Sequence, residues 1–251
     1  MFFVIRGSRI AAFLCAAACL VIVSTIVSGE ERNQAVLAAE DELRPATRVV
    51  VIDAGHGGAD GGAVSDDGTT EAEINLAVAK KLEAVFDLLG CESIMVRQEN
   101  LSVHSEGVEG LRNQKVSDIH NRVDLVNRTQ GALLISIHQN SLPQVRSVHG
   151  AQVFYNETEE AAGLAGTVQA ALNQTVNPGN EKQKKAIDPS VYLMAHIEQP
   201  GILVECGFLS NPQETERLKT EAYQTRLAVT IAAGYFQYET RDSEADRSHE
   251  G

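Results

Sequence analysis

Cations are scarce in this 251-residue chain: 21 Lys and Arg face 34 Asp and Glu, for a formal net charge of −13. A phosphate-backbone partner needs a basic face, so this balance argues against nucleic acid. Cysteine is rarer still. Four in a chain of this length are too few for a disulfide scaffold, and two of them, Cys15 and Cys19, lie inside an apolar amino-terminal run. Only Cys91 and Cys206 remain for the rest of the protein. No internal repeat is visible, and a composition of 43% hydrophobic and 22% charged residues is neither disordered nor collagen-like. The length suits one sizeable globular domain and makes two a squeeze.

What is present begins with residues 1–29, which hold Arg6 and Arg9, no acidic residue, and an apolar stretch from Ile10 to Val27 broken only by Ser24 and Thr25. The pattern fits an export signal peptide and an uncleaved membrane anchor equally well. Both place the rest of the chain outside the cytoplasm, and without this segment its net charge is −15. Residues 30–45 are polar and alanine-rich, without hydrophobic periodicity, and read as a linker ending at Pro45. Residues 239–251 carry five acidic side chains and no large apolar one, and read as a disordered acidic tail. The folded domain is therefore expected over residues 46–238.

Three apolar runs rich in β-branched residues, Val49–Ile52, Leu133–Ile137 and Ile202–Val204, predict buried strands. Ile94–Val96, Gly150–Tyr155 and Val191–Met194 are further strand candidates. Between them, Thr70 and Glu73 form a capping box that starts a helix at Glu71, carried by Ile74, Val78, Leu82, Val85 and Leu89 and ended by Gly90. Other helical patterns run through Val116 to Val126, from about Glu157 to Leu172, and from Asn211-Pro212 through Tyr223, Leu227, Ile231 and Tyr235. Alternating strands and helices predict an α/β fold, a single domain with a largely parallel or mixed central sheet flanked by helices.

In such folds ligands bind beyond the carboxyl ends of the strands. The first strand runs into Asp53-Ala54-Gly55-His56-Gly57-Gly58, the second ends in Ser136-Ile137-His138, and the third in Val204-Glu205-Cys206-Gly207. Glu71 stands at the first helical position, free to point back because Glu73 does the capping. Each residue alone has an ordinary reading: His56 as a loop residue, Glu71 as a favourable charge at a helix start, His138 as a core histidine, Glu205 as half of a buried ion pair. Together, two imidazoles and a carboxylate at one sheet edge form a ligand set that suits Zn²⁺ with one position left open, His56, Glu71 and His138 being the ligands.

Four blocks, VVVIDAGHGGADGG, TEAEINLAVAKKLE, RVDLVNRTQGALLISIHQNS and PGILVECGFLSNPQE, resemble in order and over nearly the whole domain the zinc-dependent N-acetylmuramoyl-L-alanine amidases of the Amidase_3 family. The resemblance implies that His56, Glu71 and His138 hold zinc and that Glu205 is the catalytic glutamate. The stretch LSVHSEGVEGLRNQKVSDIHNRVDL, with SIHQNS and VECGFLSN, is similar to the sporulation-specific branch, the CwlD-type cortex amidases. That branch implies peptidoglycan glycan strands with stem peptides as substrate, spore cortex as the place, a lipoprotein partner for some members, and muramic-δ-lactam formation as the following step. A general cell-separation amidase, a zinc peptidase cutting within the stem peptide and a wall-binding regulator without catalysis are the competing readings.

The implied reaction needs a proton carrier, because an amine leaves an amide only once protonated. Glu205, flanked by Leu203 and Val204, suits that role with a pKa raised by apolar surroundings. Asp53 is a candidate acceptor for a ligand imidazole or a structural turn residue, and Asn75 and Asn140 are candidates for contacting substrate or buttressing a ligand loop. Arg122 is as readily a structural salt bridge as a substrate contact. His104, His120, His149, His196 and His249 match no position of the motif and read as surface or loop residues. Cys206 reads as a small buried apolar residue rather than a nucleophile.

Overall fold

The computed structural model describes residues 48–249, so the expected export segment and linker lie outside the described residues. Six strands, β1 (Val49–Ala54), β2 (Ser93–Met95), β3 (Ala132–Asn140), β4 (Gln152–Tyr155), β5 (Lys185–Ala186) and β6 (Gly201–Phe208), form one sheet in the order β2-β1-β3-β6-β4-β5. β1, β2, β3 and β6 run parallel, while β4 joins β6 antiparallel and carries β5 parallel to itself. The sheet is therefore mixed, within the single α/β domain expected.

Helices α1 (Glu71–Leu88), α2 (Leu111–Arg128), α3 (Glu159–Thr175), α4 (Tyr192–His196), α5 (Pro212–Leu218) and α6 (Glu221–His249) connect and cover the strands. The central strands are apolar on both faces because both faces are buried. On one face Val50, Ile52, Leu133, Ile135, Ile202 and Val204 join a core with α1, α3 and α6. On the other, Val51, Leu134 and Leu203 pack with Val123 and Val126 of α2 and Leu193 of α4. Side chains alternate along a strand, so His138 lies on the face of Leu134 and Glu205 on that of Leu203. The register pairs His138 with Glu205, which puts the two beside each other at the carboxyl edge under the α2 side.

Three expectations are corrected. Val191–Met194 is not a strand: Tyr192–His196 is helical, with the Ala195 N–H donating to the Val191 carbonyl at 3.1 Å. Its buried residues, Leu193, Met194 and Ile197, follow i, i+1, i+4 spacing rather than alternation. The pattern after Pro212 is two helices, because Thr220 interrupts it. The Thr220 backbone N–H bonds to the Arg217 carbonyl (2.9 Å) while its hydroxyl accepts from the Tyr223 N–H (3.3 Å), capping the helix that follows. Finally, the segment 239–251 expected to be a disordered tail is helical as far as His249. It contains neither Gly nor Pro before Gly251, and extending a docked helix needs no new nucleus. Among the described residues no helix is long and apolar enough to cross a membrane.

Candidate active site

The site is built on the turn that follows β1. The Gly55 N–H still bonds to the Ile137 carbonyl (3.0 Å), after which His56 turns the chain at φ 61°. A non-glycine residue holds the left-handed region only if its surroundings fix it there. Here two buried arginines do so. Arg97 donates from Nε to the Ala54 carbonyl (2.8 Å) and from Nη2 to the Gly55 and Ala72 carbonyls (3.1 and 2.9 Å). Arg122 donates from Nη2 to the His56 carbonyl (2.7 Å) and from Nη1 to that of Ala54 (3.0 Å).

Glu71 opens α1 as expected, with Glu73 accepting from the Thr70 N–H at 3.3 Å and so leaving Glu71 free. Its buried carboxylate accepts from the backbone N–H groups of Ala63 (2.9 Å) and Gln139 (3.0 Å) and from the Asn75 amide (3.3 Å). Both imidazoles meet it: His138 Nδ1 lies 2.8 Å from Oε1 and His56 Nε2 3.3 Å from Oε2. One ligand atom from each of His56, Glu71 and His138 falls within 4.8 Å of the others. The backbone makes room for them. A Cβ on Gly55 would stand 2.2 Å from His138 Nε2, and one on Gly62 2.5 Å from Glu71 Oε2.

The electrostatics of the cluster call for positive charge. Burial would raise the Glu71 pKa, but hydrogen bonds and charge from His138 and His56 hold it far below the carboxylate range. Burial likewise opposes protonation of His56, yet Glu71, and then Asp60, lift it to about 9. A proton on His56 thus helps satisfy a buried anion that a divalent cation held by His56, Glu71 and His138 would satisfy instead. Donor set and space both fit a metal.

Glu205 stands apart from this exchange of bonds. Its Oε2 is buried and has no hydrogen-bond partner. Burial raises its pKa to about 7, with the charge of Glu71 adding to the rise and those of His138 and His56 opposing it. A carboxyl group poised there can take up and release a proton near neutrality.

The other candidates separate cleanly. Asp53 accepts from Ser136 Oγ (2.6 Å) and from Arg122 Nη1, and contacts neither imidazole by hydrogen bond, so it anchors Arg122. Arg122 is structural: 2% exposed, it also bonds through Nε to Asp118 (2.6 Å). Arg122→Met would leave the buried Asp53 carboxylate without its cation and the His56 carbonyl without its donor, while the Ala54 carbonyl would keep only Arg97. The expected loss is about 3–5 kcal/mol, the usual result of removing one partner of a buried pair, and urea denaturation measures it; unchanged stability would show that the network carries none of the fold. Asn75 buttresses, donating to the Gly55 carbonyl (3.1 Å) as well as Glu71, while the Asn140 side chain accepts from the Ser141 N–H (2.8 Å). Cys206 is fully buried, with burial pushing its thiol pKa up, and both Cys91 and Cys206 are free thiols. His120, His149 and His196 are exposed, His104 is half-buried against Ser102, and the side chain of His249 lies outside the described residues.

Three functional supports escaped the sequence reading. Asp60, four residues after His56, accepts from His56 Nδ1 at 3.0 Å, which directs Nε2 to the cluster. Its spacing after the histidine was the available signal. Gln139 and Arg97 gave none, since their roles arise from the strand register and a distant loop. A cleft of about 520 Å³ opens onto His56 and His138, bounded by Leu101, Leu111, Lys115 and Leu193.

Residues 50–236 match the family model described as N-acetylmuramoyl-L-alanine amidase. The germination-specific N-acetylmuramoyl-L-alanine amidase of Bacillus subtilis is 33% identical over 193 residues, covering 77% of this chain and 80% of that protein. The amidase AmiA of Escherichia coli is 26% identical over 235 residues, 76% of each chain. Among solved structures, the CwlD amidase of Clostridioides difficile, in complex with the GerS lipoprotein, superposes with a TM-score of 0.73 at 32% identity, covering 77% of this chain and 98% of that one.

Proposed function

Because the chain belongs to the N-acetylmuramoyl-L-alanine amidase family, whose members act on peptidoglycan, we propose that it does so as a zinc enzyme of the spore cortex. In this reading His56, Glu71 and His138 hold zinc and Glu205 carries the proton. The observation that supports it most is the orphaned Glu205 carboxylate beside His138, next to a three-ligand set that bonds only within itself and to its supports.

Zinc supplies polarisation of the scissile carbonyl and a water acidic enough to attack at neutral pH. The protein's own part is positional. Asp60 holds His56 by its Nδ1, and the Ala63 and Gln139 N–H groups fix the Glu71 carboxylate. Glu205, with no competing hydrogen bond, accepts the proton of the attacking water and delivers it to the alanine nitrogen as the C–N bond breaks. The products are a free lactyl carboxylate on muramic acid and a stem peptide with a free amino terminus.

Two relatives support a reading of place and partner. The Bacillus subtilis protein is germination-specific by name and the Clostridioides difficile one was solved with a lipoprotein; we carry both properties to this chain, acting outside the cytoplasm with its amino-terminal segment as signal or anchor. A muramic-δ-lactam closes only on a lactyl carboxylate freed from alanine. Spores formed without this protein should therefore have cortex lacking the lactam, and glycan strands incubated with the full-length chain and zinc should yield stem-free muramic acid by mass spectrometry. Normal lactam with a defect in separating vegetative cells would assign it to general cell-wall turnover, and fragments cut within the stem would make it a peptidase.

A further inference from the structure

The cleft beside the cluster has a chemical character that the hydrolytic groups do not use. Leu101, Leu111, Ile119 and Leu193 give it apolar wall, alongside the carboxylates of Asp60 and Asp118, which already face Lys115 and Arg122. Leu101 and Leu111 are 60% and 51% exposed, large apolar side chains left uncovered beside a polar centre. Two cations border this space. Arg122 is saturated, its donors taken by Asp53, Asp118 and the carbonyls of Ala54 and His56. Lys115 is not: its Nζ makes one ion pair, 2.7 Å to Asp60 Oδ1, and its side chain is half exposed. An ammonium has three donors, so two remain for a ligand.

The substrate's scissile amide has a glycan side and a peptide side. The peptide side starts with the alanine methyl and continues with an acidic D-residue linked through its side chain, so that its α-carboxylate is free in some walls and amidated in others. A space of about 520 Å³ is the size of a small-molecule site and has room for a short peptide segment. A protein of net charge −13 repels an anionic peptide at long range, which leaves recognition to a local cation. We propose that this cleft receives the peptide side of the substrate and that Lys115 selects stems whose second residue bears a free carboxylate. The apolar part of the wall takes the alanine methyl, and the ammonium bonds the carboxylate while keeping its pair with Asp60.

This inference rests on the amidase reading for the identity of its ligand, and binding separates the two. Calorimetry of the full-length chain with two stem peptides, one with the free α-carboxylate and one with its amide, should show the acid bound about tenfold tighter, the scale of one charge-assisted hydrogen bond. Lys115→Met should erase that preference and Lys115→Arg should keep it. Hydrolysis of the matching muropeptides should show the same ratio, expressed in KM rather than kcat. Equal binding of acid and amide by the wild-type chain, or a preference that survives Lys115→Met, overturns the assignment even if hydrolysis is normal. Discrimination in binding without any hydrolysis upholds it and overturns the amidase reading instead.

Discussion

Glu205→Gln should keep its metal and lose amide hydrolysis by about 10²–10⁴-fold, the contribution usual for general acid–base catalysis. Glutamine has nearly the same shape but can neither accept the proton of the attacking water nor donate it to the leaving nitrogen. The carboxylate is not among the three groups whose atoms converge within 4.8 Å, so metal content should stay at the wild-type level. Nor does the substitution break a hydrogen bond made by Oε2, which has none. The pH profile gives a second readout. The Glu205 pKa is pushed up to about 7 by burial, and a cation held at the neighbouring cluster would draw it down, since positive charge favours the carboxylate. Wild-type turnover should thus fall on the acid side as Glu205 becomes protonated before attack, and that limb should vanish in the variant. Steady-state kinetics with metal analysis on one preparation checks both. Near-normal turnover would reassign the proton carrier.

The candidates for that reaction stand out in the sequence because their chemistry sits where strands end. β1, β3 and β6 are largely apolar runs, so the polar residues at or just beyond their ends, His56, His138 and Glu205 among them, stand out against them. Glu71 was visible through the capping residue Glu73 two positions later. Legibility failed wherever an outcome depended on partners distant in sequence. Asp53 looked like an acceptor for an imidazole three residues away, but Arg122, 69 positions on, claims it. Arg97 carried no local signal at all, although it bonds the carbonyls of Ala54, Gly55 and Ala72. Val191–Met194 is short enough for either period, and only its packing against Leu134 and Leu203 in one core decides for a helix. In the tail, composition pointed to disorder while the absence of a helix breaker allowed α6 to continue.

Glu71 carries the largest expected effect on the metal, and two variants distinguish its roles. Its carboxylate is both the anion between the imidazoles and the acceptor for the Ala63 and Gln139 N–H groups. Glu71→Gln retains an oxygen for one of these donors and removes the charge. The expected result is a chain that folds but contains substoichiometric zinc after dialysis against trace metal, with turnover lowered at least in proportion, because two neutral imidazoles alone form an incomplete site. Glu71→Ala removes the acceptor as well. It should lose the metal and also unfold more easily, by about 1–3 kcal/mol for a buried donor left unpaired. The same carboxylate raises the His56 pKa to about 9 in the metal-free state, after burial is overcome. Without it, burial and the remaining Asp60 contact compete, and His56 should titrate at lower pH in both variants, which NMR of the imidazole resonances follows without any need for activity. Full zinc occupancy in Glu71→Gln would remove Glu71 from the ligand set and leave it the anchor that joins the start of α1 to the end of β3.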